Sequence, residues 1–242
     1  MILAFALLAA AAPDIPLWDA VLKKFVGDNG EVRYAALKQD PAALENFVSQ
    51  IGEVSPHSHP ALFPSREAKL AYWINAYNAL VMWTFTKDYP DKRDRLQSAW
   101  GKISFFYRLK LRAGGAMRSL DDIEKNTIRK EFGDPRIHFA IVCGTASCPW
   151  LARDAYTAAN LDELLDRQTR SYMGQERNVK VDKSRKELTV SEIFKWMRED
   201  FGKSEADVVR YIAKYRADGP GFANGGWKLK YFPYDWTLND SR

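Results

Sequence analysis

Leu17, Val21, Leu22 and Phe25 recur at helical spacing and predict a first helix, which Gly27-Asp28-Asn29-Gly30 breaks. Val32-Arg33-Tyr34 reads as a short extended piece, residues 42–51 as a second amphipathic helix, and Pro56-His57-Ser58-His59-Pro60 as a loop. The next helix is of another kind. It opens at Ser65-Arg66-Glu67, an N-cap with an early acid, and carries no charge from Leu70 to Phe85. A helix apolar on every face belongs at the centre of a fold. Asn75 and Asn78 interrupt it and, three residues apart, share one face. A buried amide without partners costs about 1–3 kcal/mol, so both asparagines must anchor something specific.

Further along, residues 103–107 and 109–111 read as short strands ahead of Gly114-Gly115. Ser119 caps a helix over 119–130, with Asp121, Asp122 and Glu124 in its first turn. Gly133-Asp134-Pro135 turns the chain into RIHFAIVC (136–143), which predicts a central strand. A loop over 144–147 leads to Cys148-Pro149, read as a helix entry because proline suits a first helical position. Beyond it come a helix at 161–173, a hairpin of 179–181 with 188–190, and a helix from Ser191 to Phe201. A helix at 208–215 and a strand at 227–232 follow. The whole predicts an α+β chain: a leader-like segment over 1–12, a helical extension over 13–60 and one domain over 61–242.

Composition narrows the function. At 242 residues, 46% hydrophobic and 28% charged, the chain is neither disordered nor fibrous. Its net charge of +5 is dispersed without a run of five like charges, which argues against a nucleic-acid partner. Residues 1–12, MILAFALLAAAA, are too short for the roughly 20 apolar residues of a membrane span. They match a signal-peptide core ending in Ala9-x-Ala11 or Ala10-x-Ala12, although no Lys or Arg precedes it. This predicts a periplasmic or secreted protein with no transmembrane span after signal removal.

Candidate chemistry concentrates in one stretch. Of three histidines, His57 and His59 sit in the Pro-flanked loop, which reads as a solvated surface. His138 lies in the predicted core run, five residues before Cys143 and ten before Cys148, the only cysteines. A thiol at a helix N-terminus has a lowered pKa, and a nearby imidazole stabilises the thiolate further. Cys148 is therefore the candidate nucleophile, with Cys143 the alternative, and His138 the base. The imidazole needs an orienting group, for which Glu124, Asp122, Asn75 and Asn78 are candidates. The two asparagines are also candidate oxyanion donors, as are backbone N–H groups near Cys148. Three other readings stay open: a Cys143–Cys148 disulfide, two buried inert thiols, and a zinc site with His138, which has neither the usual C-x₂-C spacing nor a fourth ligand. No glycine-rich nucleotide loop, G-x-S-x-G or H-E-x-x-H occurs, and no cofactor is called for.

Several ordered motifs carry a resemblance. Tyr72-Trp73-Ile74-Asn75-Ala76-Tyr77-Asn78-Ala79-Leu80 resembles the F-W-I-N-x-Y-N-A-L signature of the family called domain of unknown function 547. In order follow Ser119-Leu120-Asp121-Asp122-Ile123-Glu124, Asp134-Pro135-Arg136-Ile137-His138-Phe139-Ala140, Cys143 and Ser147-Cys148-Pro149. Ser191-Glu192-Ile193-Phe194-Lys195-Trp196, Asp200-Phe201-Gly202 and Tyr234-Asp235-Trp236-Thr237-Leu238-Asn239 complete the set. Where the family often places a histidine, two residues after this glutamate, the chain has Asn126. The resemblance implies a remote likeness to papain-like and transglutaminase-like cysteine enzymes. It implies a mixed or antiparallel sheet packed on the Asn75 helix, and a trio of Cys148 (or Cys143), His138 and Glu124. Two functions are expected. One is a cysteine hydrolase or acyl-transferase acting on a peptide or other amide or ester substrate. The other is a non-catalytic envelope binding module stapled by Cys143–Cys148.

Overall fold

Helix signals in the sequence translate directly into elements in the computed structural model, which describes residues 10–241. The leader-like run over 1–12 therefore lies, up to residue 9, outside the described residues. Asp14 caps α1 (Ile15–Phe25) by accepting from the Leu17 N–H, and its buried face is Trp18, Val21, Leu22 and Phe25. Helices α2 (Tyr34–Gln39) and α3 (Ala42–Glu53) follow. Val32 makes only isolated bridges, to Val26 and to Asp240. The charge-free helix is α4 (Arg66–Asp88), capped by Ser65 Oγ, and every residue from Leu70 to Thr86 except Trp83 is buried. Extension helices and α4 share one hydrophobic core, in which Trp18 stacks on Phe47 at 5.3 Å.

The β structure is smaller than the sequence predicts. The run 103–107 is helical: α5 (Ala99–Ile103), capped by Ser98, continues into a π-helical turn (Ser104–Arg108). A hairpin of β1 (Leu111–Ala113) and β2 (Ala116–Arg118) turns at Gly114-Gly115, both at positive φ. The helix expected over 119–130 is π-helical over Asp122–Arg129 and ends in α6 (Lys130–Phe132).

The predicted central strand over 136–143 does not form. Pro135–Phe139 is a 3₁₀ turn, fixed at its start by Asp134 Oδ1, which accepts from the Arg136 N–H at 2.9 Å. Instead of a neighbouring strand, an asparagine of α4 satisfies the next stretch: Asn78 Nδ2 donates to the Ala140 carbonyl and its Oδ1 accepts from the Val142 N–H, each at 2.9 Å. β-Propensity and apolarity describe burial here, and burial is met by the helix. No helix begins at Cys148 either; it closes a turn, its N–H donating to the Thr145 carbonyl at 3.0 Å.

The C-terminal third follows its pattern more closely. α7 (Leu161–Gly174) leads to β3 (Val179–Asp182) and β4 (Glu187–Ser191), an antiparallel pair. The helix expected from Ser191 to Phe201 is two short pieces, α8 (Ile193–Trp196) and α9 (Arg198–Phe201), split at Met197. A Ser204/Asp207 capping box opens α10 (Glu205–Lys214), and β5 (Lys228–Phe232) lies parallel to β4. The chain is thus α+β with two small sheets, one hairpin and one mixed three-stranded sheet, rather than one larger sheet. The three-stranded sheet, α8, α9 and α10 enclose a second hydrophobic cluster with Phe139 and the end of α7. Among the described residues no helix is long and apolar enough to cross a membrane.

Candidate functional site

Where the two hydrophobic clusters meet, a cleft of about 420 Å³ opens, lined by His138, Glu124, Cys143 and Cys148 together. Residues distant in sequence complete it: Tyr77 of α4, Lys102 and Tyr107 near α5, Trp196 of α8, and Tyr234 and Trp236 near the C-terminus. Trp196, Tyr234 and Trp236 form one aromatic wall, with ring centroids 4.7–5.6 Å apart.

His138 is held from behind. Its ring is 3% exposed, and Nε2 lies 2.6 Å from Asp200 Oδ2. An ionised carboxylate only accepts, so Nε2 carries a proton and donates it, and Nδ1 is the ring nitrogen turned away from Asp200. Arg129 clamps the same carboxylate with two hydrogen bonds, Nε to Oδ2 at 2.7 Å and Nη2 to Oδ1 at 3.0 Å. Burial raises the Asp200 pKa, but the bonds from His138 and Arg129 outweigh it and hold this carboxyl well below the usual range. The orienting acid is therefore Asp200, which the sequence offered only inside the Asp200-Phe201-Gly202 motif.

Glu124 stands in the cleft itself. Among the described residues no hydrogen bond or ion pair engages its carboxyl group, and burial pushes its pKa up against the lowering pull of His138 and Arg129. The π-helical turn explains how both residues reach one wall. Five residues apart, they would stand about 140° apart around an α-helix. The wider i→i+5 turn brings Glu124 and Arg129 to the same side of the helix. Asn126, on the same turn, donates to Asp122 Oδ1 at 2.8 Å.

Cys143 and Cys148 are joined in a disulfide. Gly144, between them, sits at φ +80° against α4, and a Cβ there would lie 2.7 Å from Phe85 Cε2. The N–H groups of Ala146, Ser147 and Cys148 are bonded to the carbonyls of Thr237, Asp235 and Thr145, and Pro149 has none. The backbone oxyanion donors expected near Cys148 are thus already engaged, and the hydroxyls of Tyr77 and Tyr234 are among the side-chain donors that line the cleft. Arg177 braces the loop from outside by donating to the carbonyls of Ala146 and Cys148.

Asn75 and Asn78 stay out of the cleft and hold main chain. Asn75 Oδ1 accepts from the Tyr156 N–H at 3.0 Å and from Trp18 Nε1 at 3.2 Å, while Nδ2 donates to the Tyr156 carbonyl at 2.7 Å. His57 lies elsewhere, 2.9 Å from Glu131 Oε1, and His59 contacts Ser58. Among the described residues no group of three His, Cys, Asp or Glu side chains is placed to hold a metal ion.

A cleft lined by a backed histidine, two cysteines and an unpaired acid at the seam of an α+β fold defines the class of site. Residues 62–173 match the model of the family described as "Protein of unknown function, DUF547". The matched span holds α4, Glu124, His138 and both cysteines; Asp200, Trp196 and Tyr234 lie beyond it. No curated protein and no solved structure matches the chain.

Proposed function

We propose that the cleft is the active site of a cysteine-dependent hydrolase or acyl-transferase acting on an amide, peptide or ester bond. The observation that carries this reading is the convergence on one cleft of both sulfurs and an imidazole with a carboxylate behind its Nε2. These are the parts of a cysteine nucleophile site, which is recognised by roles and not by sequence order. They also keep a papain-like or transglutaminase-like chemistry in view as part of the proposal. Once the disulfide is reduced, Cys148 attacks the carbonyl carbon and His138 Nδ1 takes the thiol proton. The amine or alcohol leaves with that proton, and water or an acceptor nucleophile, deprotonated by Nδ1, resolves the thioester. Tyr234 and Tyr77 supply hydroxyl donors for the oxyanion.

The test is a cysteine-directed acyl-type probe on protein reduced with a phosphine. A single saturable adduct at Cys148, slowed about 100-fold or more by His138→Ala, is expected. Labelling only after unfolding would overturn the reading. The leader-like run supports a site outside the cytoplasm; a mature N-terminus at residues 12–14 in a bacterial host is expected, and an intact Met1 would count against it.

One observation favours a second reading, a non-catalytic binding module: the disulfide itself, which leaves no free thiol in the described protein. On that reading the disulfide is a staple: Cys148→Ser in combination with Cys143→Ser, or reduction, lowers stability, and no acyl-type adduct forms on Cys148 of folded, reduced protein.

A further inference from the structure

The two sulfurs are not equivalent. Cys148 is 4% exposed, whereas Cys143 is only partly buried, and both border the cleft. Cys148 Sγ accepts from the Cys143 backbone N–H at 3.1 Å and from the Tyr234 hydroxyl at 3.2 Å. Cys143 Sγ has Thr145 Oγ1 at 3.1 Å and Tyr234 Oη at 3.5 Å. A disulfide sulfur carries no hydrogen and can only receive, and the Thr145 and Tyr234 hydroxyls have one proton each to give. The difference lies in the donors. The N–H on Cys148 is fixed by the backbone. The Thr145 hydroxyl beside Cys143 rotates, and its one proton goes to Tyr234 Oη at 3.3 Å instead of to the sulfur. That bond leaves the Tyr234 proton directed to the nearer sulfur, Cys148.

We propose that the Cys143–Cys148 bond is a redox-active site for an external aliphatic thiol, which attacks Cys143 Sγ and expels Cys148 as a thiolate. In the first step a thiolate RS⁻ forms an RS–S bond to Cys143. The Cys143–Cys148 bond breaks, and its electron pair stays on Cys148, where the two donors meet the charge. In the second step another RS⁻ attacks the outer sulfur, giving RS–SR and a Cys143 thiolate that takes a proton from water. Two thiols are oxidised and one disulfide is reduced by two electrons. Exchange is faster when the departing thiolate is the better stabilised one, and hydrogen bonds to the anion do this. Burial keeps the Tyr234 phenol protonated and thus a donor throughout. The consequence is directional: the first group unmasked is Cys148, the thiol required by the hydrolytic reading. Only this consequence rests on that reading; the exchange chemistry stands apart from it.

The experiment uses the oxidised full-length protein and reduced glutathione as the probe, with acid quenching, maleimide trapping and peptide mapping. Glutathione is expected on Cys143 and maleimide on Cys148, exceeding the inverse product about ten-fold. In fully reduced protein, Tyr234→Phe keeps the aromatic wall. It is expected to raise the pH of half-maximal Cys148 alkylation by about one unit and to leave Cys143 in place. Glutathione mainly on Cys148, an even split, no exchange before denaturation, or an unmoved Cys148 profile in Tyr234→Phe would each overturn the proposal. Exchange at Cys143 with no acyl-probe adduct on reduced Cys148 would sink the hydrolytic reading and leave this one. An adduct with inverse exchange would do the opposite.

Discussion

Asp200 and Glu124 face the same imidazole and are shifted in opposite directions, so their variants carry opposite pH signatures. Asp200, bonded by His138 and Arg129, has a lowered pKa in the folded protein. Its contribution is present above the unfolded aspartate value of about 3.9 and is lost as pH falls below it. Asp200→Asn is therefore expected to be less stable than the parent at pH 7, with the gap in denaturant melts narrowing from about pH 5 downward and still open near pH 3, because the folded carboxyl titrates far below the unfolded one. A gap independent of pH would show that the carboxylate charge is not what stabilises. Glu124 has a raised pKa from burial without a partner. Its contribution is complete below the unfolded value of about 4.3 and is lost as pH rises through the folded one. Glu124→Gln is expected to melt higher than the parent at pH 7 and to match it near pH 4. Cys148, His138 and Glu124 were legible as site residues from their rarity and from motif order. Asp200 was not singled out, because the choice of partner for a ring nitrogen depends on which acid arrives in space, 62 residues along the chain.

At the scale of elements, α4 acts as a scaffold through its asparagines. Asn78 bonds the Ala140 carbonyl and the Val142 N–H, one residue before Cys143. Leucine at Asn78 would leave two buried backbone groups unpaired, at about 1–3 kcal/mol each. A loss of roughly 2–5 kcal/mol in urea unfolding is expected for Asn78→Leu, with slower Cys148 labelling in reduced protein. A loss below about 0.5 kcal/mol would mean that water or a shifted chain replaces the amide. The charge-free stretch announced α4 plainly, and the two asparagines announced that they would anchor something. What they anchor was hidden. RIHFAIVC has the composition of a buried strand, and composition does not distinguish a strand partner from a row of amides on a helix. The π-helical turn was hidden too, since an Asp/Glu-rich first turn and apolar spacing suit an α-helix equally.

At the scale of the whole molecule, the cleft is the seam between two hydrophobic clusters, and the Arg129–Asp200–His138 chain crosses it. The clusters also share α7: Leu161, Leu164 and Leu165 pack in the first, Tyr172 and Met173 in the second. That one helix packs into both. Thermal unfolding is therefore expected as one transition, coincident by far-UV and near-UV circular dichroism. Two separated transitions would assign the clusters to independent units.

From the sequence alone came the α+β class, the buried helix, the capped helices, the C-terminal hairpin and the grouping of His138 with the two cysteines. These depend on local periodicity, capping chemistry and residue rarity, which neighbours in the chain determine. Only the tertiary structure decided the small size of the sheets, the role of Asp200, the aromatic wall of Trp196, Tyr234 and Trp236, and the pairing of Cys143 with Cys148. Except for the disulfide, whose cysteines are five residues apart, each of these is a long-range or solvent-exclusion effect. A hydrogen-bond acceptor, a ring face or a sulfur finds its partner by where the packed elements leave it, and the linear pattern does not encode that distance.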